Sequence, residues 1–95
     1  MLKLVMGIAA VIVRIMPESL KSDLKEIERE AKKSMEKEGA MNISFEIQEI
    51  AFGLKAVMMK MAWPEEKDTS IVESELGKIK DVSSVKIEDY RRAFG

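Results

Sequence analysis

The chain has 95 residues, 46% of them hydrophobic and 35% charged, a size and balance that fit one domain over residues 1–95 and exclude two. Lys plus Arg number 16 against 17 Asp plus Glu, so the basic surplus that phosphate neutralisation needs is missing and no direct nucleic-acid partner is expected. Cysteine and histidine are both absent, which excludes disulfides, thiolate zinc sites, cysteine nucleophiles and histidine triads; with no Asp-rich loop either, no metal or cofactor is expected.

At the N-terminus, MLKLVMGIAAVIVRIMP places a lysine ahead of an apolar run, as a secretory signal does. Arg14 closes that run, no small-residue cleavage site follows, and a bilayer span takes about 20 residues. A cytoplasmic protein without a membrane span is the expectation. The Val and Ile content from Ile8 to Ile15 reads instead as a strand at the centre of a sheet. Pro17 ends it, and Ser19 or Ser22 offers a helix cap. Leu20, Leu24, Ile27, Ala31 and Met35 then recur at intervals of three or four, one apolar stripe of a helix over residues 20–37. Its charged residues form a solvated face, and Gly39 closes it.

NISFEIQEI alternates, with Ile43, Phe45 and Ile47 on one side, as in a half-buried strand. The alternation slips at Glu49-Ile50, which puts a turn or bulge between Gln48 and Leu54. From Leu54 to Trp63 the chain is apolar on nearly both faces until Pro64. SIVE (residues 70–73) has the form of a capping box, followed by a short helix marked by Val72, Leu76 and Ile79 and weakened by Gly77. A last strand turns Val85 and Ile87 inward and runs into the basic-aromatic ending YRRAFG.

Strands one and three are apolar throughout, whereas strands two and four alternate. The apolar pair therefore belongs in the middle. That arrangement is an α+β, ferredoxin-like βαββαβ fold, a four-stranded antiparallel sheet in the order 4-1-3-2 with both helices on one face. Such folds serve many functions, so function has to come from particular residues. Phe52-Gly53 is either a hairpin bulge with the ring tucked under a helix or an exposed aromatic. Met58, Met59 and Met61 either fill core gaps or soften an open face. Arg91 and Arg92, between Tyr90 and Phe94, either grip an anionic partner or merely solubilise a chain end.

Several blocks resemble one family. MGIAAVIVRIMPES, EIAFGLKA and DVSSVKIEDYRRAFG are similar, in order and spacing from Met6 to Phe94, to archaeal translation elongation factor 1-beta. IAFGLKA and the R-R-A-hydrophobic ending are the most specific of them. Members commonly begin near MG, so the resemblance implies that Met6-Gly7 is the original start and residues 1–5 an N-terminal extension. It also implies the function: promotion of GDP release from the GTPase elongation factor 1-alpha, with GDP and GTP bound by the partner and no bond chemistry in this chain. Phe52 and Gly53 match an aromatic-Gly pair that docks on the GTPase in eukaryotic relatives. Those relatives also use a lysine near the C-terminus, where this chain has Arg91, Arg92 and Phe94; these three are candidate partner contacts, and which arginine replaces the lysine is open. The alternatives are a ferredoxin-like regulatory or small-molecule-binding domain and an RNA-binding domain.

Overall fold

A computed structural model of the chain describes residues 7–92. The elements are β1 (Ile8–Pro17), α1 (Leu24–Lys37), β2 (Met41–Ala51), β3 (Leu54–Pro64), α2 (Ser70–Gly77) and β4 (Val82–Arg92). All strand pairs are antiparallel and the sheet order is β2-β3-β1-β4, the expected order read from the other edge. The two apolar strands are the central pair: flanked on both sides, they bury the row that faces the helices and leave the row on the other face mostly half-buried.

Alternation decides which side faces the helices. Ala9, Val11, Val13 and Ile15 of β1 and Val57, Met59, Met61 and Trp63 of β3 pack against Ile27, Ala31 and Met35 of α1 and Val72 and Leu76 of α2. Each large buried side chain contributes about 1.5–3 kcal/mol of transfer free energy. The methionine cluster divides along this line: Met59 and Met61 are core, and Met58 is half-buried on the opposite face.

Beside the lone tryptophan a clasp joins three elements. Trp63 Nε1 donates to the Lys67 carbonyl at 3.1 Å. Lys67 Nζ lies 5.7 Å from the Trp63 ring centre and donates to the Glu38 carbonyl (2.6 Å) and to Glu38 Oε1 (2.9 Å). The C-terminal end of α1 is thereby tied to the segment after β3.

Three local expectations need correction. α1 begins at Leu24, with Asp23 rather than Ser19 or Ser22 as its cap: Asp23 Oδ1 accepts from Glu26 N at 3.2 Å. A carboxylate at that position also complements the positive end of the helix dipole, which a hydroxyl does not. The two serines close their own turn, Ser22 N donating to the Ser19 carbonyl and Ser19 N to Ser22 Oγ. Leu20 consequently leaves the helical stripe and stands exposed. At the second helix, Ser70 lies inside α2 rather than before it, and Asp68 Oδ1 accepts from its backbone at 2.9 Å, so no capping box forms. The close of α1 is as expected: Gly39 takes φ 101°, and the bonds Ala40 N to Met35 O and Gly39 N to Glu36 O form a Schellman motif.

Candidate functional site

The slip at Glu49-Ile50 is a register shift between Glu49 and Ala51, and the next two residues are the entire loop of the β2–β3 hairpin, with Ala51 paired to Leu54. Phe52 has φ 53° and Gly53 has φ 83°. Two consecutive positive φ values are the signature of a type I′ turn, the tight connection whose twist matches that of the strands. Glycine adopts this conformation freely. Phenylalanine at the first position costs about 1–2 kcal/mol, because its Cβ crowds the following carbonyl. The ring recovers none of that by burial, being 99% exposed. An aromatic that is strained in backbone and bare in side chain does nothing for folding, so the tucked reading of Phe52 is overturned.

The surroundings extend this apolar end. β1–β3 pairing stops at Ile15–Val57, while β2–β3 pairing runs on through Gln48–Ala56 and Glu49–Lys55, so the hairpin projects past the centre of the sheet. Ile47 and Ile50 are exposed there, as is Leu20, whose Cδ2 would lie 3.9 Å from a Cβ on Gly53. Leu20 thus lies beside the hairpin turn, a placement that the expected helical stripe concealed. Four exposed apolar side chains, Leu20, Ile47, Ile50 and Phe52, thus lie toward one extremity of the molecule.

Arg91 and Arg92 are not a loose ending but the last two residues of β4. They pair with Ala10 and Ala9 of β1, at the end of the sheet away from the hairpin. Nine residue steps along β3 take Leu54 to Trp63, about 30 Å at ~3.3 Å per residue, within a molecule 52 Å long. The structure therefore does not bring the candidates together: Phe52 and Gly53 lie at one pole, Arg91 and Arg92 at the other. Phe94 lies outside the described residues, as do residues 1–5.

A bulge orients the two arginines. Ile12 pairs with Asp89 but Val13 pairs with Ile87, leaving Glu88 as the extra residue, and its Oε2 lies 3.0 Å from Arg14 Nη2. Because side chains alternate, the bulge reverses the faces of everything after it. Arg91 falls on the open face of the sheet and Arg92 on the helix face. Arg91 Nε is 3.0 Å from Asp89 Oδ2 on its own strand; Arg92 Nε is 3.2 Å from Glu65 Oε2 in the segment after β3. Between the poles, the open face of β3 presents Ala56, Met58, Lys60 and Ala62, with no ring on which a base could stack, while Trp63 points into the core.

Residues 10–93 match the EF-1 guanine nucleotide exchange domain. A protein of Archaeoglobus fulgidus named elongation factor 1-beta is 39% identical over 87 residues, covering 88% of this chain and 96% of that one. The protein of that name from Methanocella arvoryzae is 39% identical over 83 residues (86% and 92% coverage), and that from Staphylothermus marinus is 32% identical over 84 residues (86% and 92%).

Proposed function

This chain belongs to the EF-1 guanine nucleotide exchange domain family, and is a nucleotide exchange factor of translation elongation; from that premise we propose that its two poles grip elongation factor 1-alpha, the hairpin tip through Phe52 and Gly53 and the β4 end through the arginines. Phe52 carries this reading. Its exposure and positive φ burden the free protein without return, and strain of this kind persists where a bound state uses it. An aromatic held on a tight two-residue turn loses little side-chain entropy on docking, which suits an anchor.

GDP and GTP are bound by the partner, and this chain makes or breaks no bond. Exchange is a matter of differential affinity: the factor binds the nucleotide-free GTPase better than the GDP-loaded form, and by linkage nucleotide and factor weaken each other's hold by the same factor. The work takes place in the cytoplasm, where translation proceeds. The test is release of labelled GDP from elongation factor 1-alpha with and without catalytic amounts of this protein. Multiple-turnover acceleration is the expected result. Release at the unassisted rate would refute the reading.

A further inference from the structure

The two arginines differ in what holds them. Asp89 lies two residues before Arg91 on the same strand and face, so that pair is local, and the Arg91 side chain is 78% exposed. Such exposed pairs hold weakly and exchange freely with solvent or a partner. Glu65 is different. The Arg92 side chain is itself 73% exposed, so the contrast lies in the acid: the Glu65 side chain is only 18% exposed, and Oε2 is shut off from solvent with Arg92 as its ion-pair partner but without an aligned hydrogen bond. Its backbone N–H donates to the Gly7 carbonyl at 2.9 Å, and a Cβ on Gly7 would overlap the Glu65 carboxylate. Glu65 is thus wedged between the start of β1 and the end of β4. Removing the Arg92 charge leaves a shielded carboxylate oxygen unpaired, a more costly loss than breaking an exposed pair.

We infer that Glu65 is a positioning residue that anchors the end of β4 through Arg92, leaving Arg91, turned to the open face by the Glu88 bulge, as the cation that engages the GTPase. This rests on the reading of the β4 end as a contact. It divides that reading into two roles with different signatures: an anchor acts through the geometry of the β4 end and depends on its carboxylate, and a contact cation acts through charge across an interface and is screened by salt.

The experiment uses the full chain with Arg91→Ala, Arg92→Ala, Glu65→Gln, the Glu65→Gln/Arg92→Ala pair, and Gly7→Ala, which crowds Glu65 without touching either arginine. GDP release from elongation factor 1-alpha is measured across a salt series, alongside thermal unfolding. Arg91→Ala should lower kcat/KM by about tenfold at low salt, the scale of one lost charged contact, flatten the salt dependence, and leave Tm unchanged. Arg92→Ala and Glu65→Gln should each lower both exchange and Tm while keeping the wild-type salt slope, with the pair no worse than the poorer single variant, and Gly7→Ala should behave like Glu65→Gln. In the free protein, arginine side-chain NMR should show the Arg92 Nε–H resonance moved by Glu65→Gln and that of Arg91 unmoved. A flattened salt slope for Arg92→Ala with Arg91→Ala silent, additive losses in the pair, or an Arg92 resonance indifferent to Glu65→Gln would overturn the assignment. Full exchange activity in every arginine variant while Phe52→Ala is impaired would remove the β4 end from the interface and leave the hairpin contact standing.

Discussion

Replacing Phe52 with alanine separates partner binding from folding more cleanly than any other change in this molecule. The ring is 99% exposed, so its removal forfeits almost no buried area, and the stability change should lie within about 0.5 kcal/mol of zero. Alanine retains a Cβ and hence the left-handed cost, so the turn geometry is kept. On the partner the same ring, if fully buried, is worth about 1.5–3 kcal/mol, which is roughly a ten- to 150-fold fall in kcat/KM at one decade per 1.36 kcal/mol. The assay is stopped-flow release of fluorescent GDP from elongation factor 1-alpha at several factor concentrations, with thermal unfolding followed in the same buffer. Phe52→Gly, which removes the left-handed cost, should be equally impaired in exchange. The reasoning fails if Phe52→Ala exchanges at the wild-type rate. It fails equally if Tm falls by more than the ~4–8 °C that 1 kcal/mol represents in a domain of this size, in step with activity, because the ring would then be a packing element.

Three changes probe the frame that holds the two poles. Gly53→Ala places a Cβ at φ 83° with nothing closer than Leu20 Cδ2 at 3.9 Å, so its cost of about 1–2 kcal/mol is purely that of the backbone and should appear as a lower urea midpoint with unchanged slope. Asp23→Ala removes the α1 cap and should cost about 1 kcal/mol in guanidinium unfolding, whereas Ser19→Ala and Ser22→Ala should not touch helix stability to that extent. Lys67→Ala opens the clasp on Glu38 and Trp63; about 1–3 kcal/mol of stability should go, and the emission of the single tryptophan should shift to the red if the clasp is what keeps water from the ring.

The sheet order was legible because it follows from which strands are apolar on both faces, a property of composition that no local detail disturbs. The left-handed turn at Phe52-Gly53 was half legible. The broken alternation located it, but phenylalanine is a poor residue for positive φ, and nothing in the pattern said whether its ring was covered. Helix caps were misjudged where several polar residues competed within a few positions. Ser19, Ser22 and Asp23 all offered an acceptor, and the charged one took the cap; at α2 the cap position falls to Thr69, whose side chain makes no cap bond, and Ser70 lies inside the helix. The separation of Phe52 from Arg91 and Arg92 depended on strand direction, so the topology implied it once the order was known. The opposite facing of Arg91 and Arg92 depended on an unannounced extra residue at Glu88, and nothing in the sequence singled out Glu65. Those contacts arise from pairing register, which a single chain's periodicity does not reveal.

The unbroken run of β3 between the poles amounts to a ruler. Backbone hydrogen bonds to β1 and, nearer the tip, to β2 fix its length, so the distance from hairpin tip to β4 end is indifferent to which side chains line the sheet. Substitution can rework the core and the open face extensively and leave that interval as it was. Only a change in the number of paired residues alters it, by about 7 Å for each two-residue step that keeps the faces in phase. A partner that touches both ends is measured against a fixed length, and one whose two docking sites move apart or together as its nucleotide comes and goes is recognised in the state that fits.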